Sequence, residues 1–212
     1  DHPKKIRLGR GGPRVGLSSI ALDADAIINL PKLKAHQQLM ATFAVKNMFG
    51  CVSGKHKALW HFRRGDSDAQ FCELLIGIYR YLKPVVTLID GIVAMEGPGP
   101  IRGRSRPLGW LIGSVDPIAC EAVCSHMIAL EPERLPILRT ARQMGFGCSQ
   151  LDEIEILGDP LPPPCTDFEM PKMMPIKFSF THVCRSVGRQ VLLLARAGSE
   201  TAHPARRAAG ES

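Results

Sequence analysis

The chain has 212 residues, is 45% apolar and carries a formal net charge of +7; at that length one domain buries roughly 70% of its unfolded surface and needs no disulfide support. This composition excludes an acidic disordered chain, a collagen-like repeat and a multi-span membrane protein. The positive excess sits in the ends: residues 1–14 hold five bases and one acid, residues 161–212 seven bases and four acids, and residues 15–160 are neutral with 15 of each, which argues against a nucleic-acid-binding core.

In chain order, a basic N-terminal arm (1–14) precedes a core domain over 15–159. Ala26–Leu30 reads as a buried strand stopped by Pro31. Leu39–Phe49 reads as a helix ended by Gly50, and a polar loop follows between Gly54 and Gly65. Phe71, Leu74, Leu75, Ile78 and Leu82 recur at helical spacing up to Pro84. Val85–Ile89 is a β-branched strand bounded by Asp90-Gly91; a Gly/Pro loop runs to Pro107, and Leu108–Val115 is the next strand. Asp116-Pro117 marks a helix start, a further helix covers Arg134–Met144, and Ile154–Leu157 is a short last strand. This alternation predicts an α/β, three-layer-like domain with a mostly parallel or mixed sheet. A Pro-rich linker (160–175), a tail helix (176–198) and a disordered end (199–212) complete the expectation.

The seven cysteines show no C-x-x-C spacing, so neither a zinc ribbon nor an iron–sulfur cluster is supported within the chain, and reduced thiols are the simplest account. With no apolar leader and no bilayer-length apolar run, a cytoplasmic location is expected and membrane binding is not. Starting at Asp1 rather than Met, the sequence reads as a fragment or processed form.

Charges in the neutral core are segregated. Residues 26–65 contain seven Lys or Arg, three His and no acid, whereas residues 107–160 contain eight acids and three bases. The segment Asn29-Leu30-Pro31-Lys32-Leu33-Lys34-Ala35-His36 follows the first strand, where open α/β sheets bind ligands. Alternation along an extended stretch puts Lys32, Lys34 and His36 on one side; a solvated basic loop is the alternative. Gln37–Gly54 carries the single formal charge of Lys46, an ammonium costly to bury unless paired or anion-bound, with Thr42 one helical turn before it. Lys57 and His61 form a further i, i+4 pair. Asp90 and Glu96 are the charges of Val85–Ile101, placed as candidate general bases, divalent-metal ligands or partners of the lysines. Asp116 is a helix cap or a third metal ligand. Arg102, Arg104 and Arg106 form a solvated face or an anion-recruiting loop.

These residues resemble the family known as domain of unknown function 362 over roughly residues 24–158. The resemblance rests on Asn-Leu-Pro-Lys-Leu-Lys-x-His (29–36), Lys46-Asn47-x-Phe49-Gly50, Gly54 with Lys57 and His61, Asp90-Gly91-Ile92 with Met95-Glu96-Gly97-x-Gly99-Pro100, and Ser114-x-Asp116-Pro117-x-Ala119. Ala35 stands where Thr is common and Glu121 where Asp is common. Many members carry ferredoxin-type iron–sulfur modules, which implies a role near electron transfer; here a cluster would have to come from a missing segment or a partner. The leading expectation is an enzyme acting on a small anionic carboxylate or phosphate compound in a redox-linked pathway. Lys32, Lys34, Lys46, Asn47 and Lys57 would bind the anion, His36 and His61 would move protons, and Asp90 and Glu96 would act as base or hold metal. The alternative is a non-catalytic docking module whose basic surface receives an acidic partner such as a ferredoxin.

Overall fold

The computed structural model describes residues 2–176. Strands β1 (Lys4–Arg7) and β2 (Arg14–Leu17) form an antiparallel hairpin, so the basic arm is built into the fold, with Val15 and Leu17 fully buried. The short helix α1 (Ser19–Leu22) follows. β3 (Ile28–Asn29) and β4 (Lys32–His36) then run one after the other along a single side of β6 (Val86–Glu96), both parallel to it. β5 (Met40–Thr42) folds back antiparallel on β4, and β7 (Arg104–Ser114) pairs antiparallel with the other side of β6. The result is a five-stranded mixed sheet.

The helices are α2 (Ala44–Asn47), α3 (Gly54–Arg64), α4 (Asp68–Leu82), α5 (Pro117–Met127) and α6 (Pro136–Gln143). α4 buries Phe71, Leu74, Leu75, Ile78 and Leu82, the stripe its spacing predicts, and each such side chain contributes about 1.5–3 kcal/mol. Leu33, Ala35 and Ile89 are fully buried in the same core. Lys32, Leu88 and Leu111 remain exposed, so the alternation of the strands separates a core face from an open one among the described residues.

Several elements differ from the sequence expectation. Leu39–Phe49 is not one helix: Met40 turns the chain with φ 65°, Met40–Thr42 is a strand, α2 has four residues and a 3₁₀ turn covers Met48–Cys51. An uninterrupted apolar run carries no periodicity that separates a buried strand from a buried helix. Thr42 therefore lies opposite Lys34 on the neighbouring strand and is not one turn from Lys46. The supposed loop from Gly54 is α3. β6 continues past Ile89 to Glu96, and most of the Gly/Pro loop is a long hairpin with β7. A register shift between Gly91 and Val93, where the Asp90 carboxylate accepts from the Ile92 amide at 3.1 Å, hid that strand by breaking its alternation. Ile154–Leu157 pairs with no strand among the described residues, and Leu157 is 81% exposed. Only Ile28 and Asn29 of the first predicted strand join the ladder as β3.

Two buried polar groups set the position of α2. The Asn29 carboxamide donates to the Ala44 carbonyl (2.9 Å) and to the Thr87 hydroxyl (3.0 Å), and accepts from Asn47 Nδ2 (2.8 Å); Thr87 and the Tyr79 hydroxyl share a further bond of 2.8 Å. From α5, fully buried Glu121 accepts from the Val45 amide at 2.9 Å. Burial raises its carboxyl to about 8. The tail helix and disordered end expected from 176 onward lie outside the described residues apart from Ile176.

Replacing Asn29 with Leu strands the Ala44 carbonyl, so Asn29→Leu is expected to lower the unfolding free energy by about 2–3 kcal/mol in urea denaturation; a change below about 0.5 kcal/mol contradicts this. For Glu121 the folded state binds its proton more tightly than the unfolded state does. Its contribution is fully present below about 4.5 and lost as pH rises through about 8. Glu121→Gln, which keeps an acceptor for Val45, is expected to flatten the decline in stability across that window, read from urea midpoints at pH 5, 7 and 9.

Candidate functional site

The first shared motif gains its geometry from β4. Lys32, Lys34 and His36 alternate with the core residues Leu33 and Ala35, as an extended chain requires. Lys32 is exposed and forms an ion pair with Asp90 across the ladder at 2.7 Å. Lys34 is half-buried, and His36, at the carboxyl end of the strand, is buried. Loop 97–100 presses against that end: a Cβ on Gly99 would meet the Ala35 carbonyl oxygen at 2.0 Å, and the Gly99 carbonyl accepts from the Gln37 amide at 3.2 Å. Only a glycine tolerates that approach.

Helices bring the remaining cations to the same place. α2 presents Lys46, and the helical turn of α3 stacks Lys57 and His61 on one face. His61 is buried, its ring 4.6 Å from Phe71 and edge-on to Phe49 at 5.7 Å. Lys34, Lys46 and Lys57 are all half-buried, and none has a carboxylate partner among the described residues. Burial, then repulsion from Lys34 and Lys57, lowers Lys46 to about 8. Burial, then the charges of Lys46, His61 and Lys34, lowers His36 to about 3; burial and then Lys46 lower His61 to about 4. Lys46 is the common member: it lies within electrostatic range of Lys34, Lys57, His36 and His61.

Both imidazoles are therefore neutral at pH 7, and their hydrogen bonds set the tautomers. The Gln38 amide donates to His36 Nδ1 at 3.1 Å, so the ring hydrogen of His36 is on Nε2. His61 Nδ1 lies 3.3 Å from the Ile176 carbonyl, which can only accept, so there the hydrogen is on Nδ1. The Thr42 hydroxyl, buried beside Lys34, has no hydrogen-bond partner among the described residues.

The Pro-rich stretch reaches this site. The Met174 amide donates to the Gln37 carbonyl (2.7 Å), and Gln38 Nε2 donates to the Pro175 and Ile176 carbonyls (3.1 and 3.0 Å). Upstream, the Gly97 amide donates to the Glu169 carbonyl at 2.7 Å and the Glu169 amide to Glu96 Oε2 at 3.1 Å. Arg104 pairs with Glu169, and Arg106 with Asp167 at 2.5 Å. Two of the three loop arginines are thus clamps on this strap.

The acidic residues are used elsewhere. Asp90 holds Lys32 and the bulge; Glu96 is buried against the strap with Arg104 at 3.8 Å. They lie six residues apart on β6, roughly 20 Å along a strand. Asp116 caps α5 through Ile118 and Ala119 (2.7 and 3.3 Å), and its other oxygen accepts from the Cys148 amide at 2.7 Å. Among the described residues no three His, Cys, Asp or Glu are grouped to hold a metal ion, so the expected metal set of Asp90, Glu96 and Asp116 does not converge. Neither do the six described cysteines fit a cluster: Cys72, Cys120 and Cys124 are buried thiols, and burial pushes Cys120 up to about 12. Asn47 is exposed and bonded to Asn29.

The five basic groups near Lys46 are all among the residues that stand out in the sequence, whereas the role of Glu121 and the placement of Thr42 are not legible there. Glu121 stands alone among apolar residues in Ile118–Cys124, the criterion that singled out Lys46. Thr42 left no such signal, because its meaning depends on strand register.

The profile of a family described as "Domain of unknown function (DUF362)" matches residues 1–126. The thylakoid-associated protein sll1697 of Synechocystis sp. (strain ATCC 27184 / PCC 6803 / Kazusa) is 38% identical over 171 residues, 80% of this chain and 53% of that protein; the chain spans about half the length of this curated relative. No solved structure matches. The motifs that build the basic cluster fall within the matched span, and the chain belongs to the DUF362 family.

Proposed function

We propose that this domain binds a small anionic molecule, a carboxylate or phosphate compound, in the cluster of Lys34, His36, Lys46, Lys57 and His61, and that it acts on that molecule as an enzyme. The observation that carries the reading is the set of three half-buried ammonium groups with no carboxylate partner among the described residues. Unpaired charge away from water is costly, and a bound anion would remove that cost. Lys32 drops out of the set because Asp90 neutralises it, and Asn47 because it is bonded within the fold. Of the expected acid–base groups, Asp90 and Glu96 are occupied, which leaves the two neutral imidazoles as proton carriers beside the ligand.

The docking alternative calls for lysines exposed on a flat surface. Half-burial of Lys34 and Lys57 beside two buried imidazoles favours a ligand site over such a surface. A redox-linked pathway rests on the family resemblance alone, and any cluster would be a partner's. No helix of the described residues is long and apolar enough to cross a membrane. Given the thylakoid-associated relative, we infer a peripheral thylakoid association in preference to a purely cytoplasmic location.

The test is thermal unfolding of wild type and Lys46→Met with sulfate, phosphate and succinate at constant ionic strength. At least one anion is expected to raise the wild-type midpoint, while Lys46→Met loses most of that shift and is itself no less stable without ligand. If no anion acts, or if both proteins respond equally, the assignment fails. A bound anion also favours the charged form of Lys46. Sulfate binding near pH 8 is therefore expected to take up protons and to weaken as pH rises through about 8, measurable by calorimetry in two buffers of different ionisation enthalpy.

A further inference from the structure

Resting on the anion-site reading, we propose that the ligand group is the dianionic phosphoryl of a small phosphate monoester rather than a carboxylate, and that the Thr42 hydroxyl is one of its donors. Three features of the site select between the two chemistries.

The first is charge. Lys34, Lys46 and Lys57 have no acid among the described residues, so a monocarboxylate leaves two positive charges uncompensated and a phosphoryl dianion only one. The second is direction. Lys34 and His36 come from β4, Thr42 from β5, Lys46 from α2 and Lys57 from α3, so the donors approach from several elements. The acceptor sites of a carboxylate lie in one plane, whereas a phosphoryl offers three oxygens arranged as a pyramid.

The third feature is donor polarity. The lysines only donate. His36 is held as an Nε2–H donor because its Nδ1 is taken by the Gln38 amide. The Thr42 hydroxyl is 5% exposed as a residue, has no partner among the described residues and shares the strand register of Lys34. A buried hydroxyl left without a partner costs free energy, and an oxyanion beside Lys34 supplies the missing acceptor. These donors, the three lysines, His36 Nε2 and Thr42, suit a group rich in acceptors and poor in donors, which is the phosphoryl dianion, while His61 donates through Nδ1 to the Ile176 carbonyl.

The experiment compares methyl phosphate, acetate and succinate at constant ionic strength by calorimetry, with wild type and Thr42→Val. Valine matches threonine in shape and removes an unpartnered hydroxyl, so the variant is expected to fold with unchanged or raised stability. Methyl phosphate is expected to bind wild type at least tenfold more tightly than either carboxylate at pH 7, with affinity falling roughly tenfold toward pH 5 as the second phosphate ionisation, near 6, is reversed. Thr42→Val is expected to lose roughly tenfold in methyl phosphate affinity. Carboxylates binding as tightly as methyl phosphate, or Thr42→Val binding it like wild type, would overturn this inference while leaving the anion site intact. If none of the three ligands binds, the anion-site reading falls with it.

Discussion

The Asn29 carboxamide is the joint on which the architecture of the site depends. It lies on β3 just before Pro31, so it is placed by the same chain turn that starts β4. Its three hydrogen bonds reach the main chain of α2 at Ala44, the β6 side chain Thr87 and Asn47 at the end of α2. Thr87 passes the connection to Tyr79 on α4. A four-residue helix has too few internal hydrogen bonds to be stable alone, and α2 is held between this network and Glu121. The lysine of α2 is thereby carried to a defined place beside β4.

Around that scaffold the site is assembled from groups that repel one another. Lys34, Lys46 and Lys57 sit within range of mutual repulsion while two imidazoles stay neutral. Such an arrangement is not one that folding free energy favours for its own sake; it is a local cost within a well-packed core, and an anion bound at the proposed site would offset it. The strap of residues 165–176 contributes in a different way. Acidic side chains of the strap engage Arg104 and Arg106, and its main chain then reaches Gln37, Gln38 and His61. Both the arginines and the glutamines therefore serve to position backbone next to the imidazole pair.

Much of this was legible before folding was considered. The helical stripe of α4, the Asp-Pro start of α5 and the β-branched opening of β6 each follow from local chemistry, since period, cap and branching act over a few residues. Lys46 and His36 stood out because charge in an apolar run, or at a strand end, carries a cost that composition alone exposes. The same logic overreached with Asp90, Glu96 and Asp116. Asp116 is the helix cap that its Asp-Pro context offered, whereas Asp90 and Glu96 are committed to Lys32 and to the strap, 58 and 73 residues away, and no local signal says which distant partner a strand-end carboxylate will meet.

The sequence by itself determined an α/β mixed sheet, a neutral but polarised core and a basic, acid-free stretch from 26 to 65, because all of these are set by residue type and short-range periodicity. Tertiary structure alone decided which of the charges would remain unpaired. Register puts Thr42 opposite Lys34 and Asp90 opposite Lys32, and packing of α3 on α4 buries His61 against Phe71. Pairing depends on distances across the sheet, and those are fixed only once strands far apart in the chain have found their neighbours.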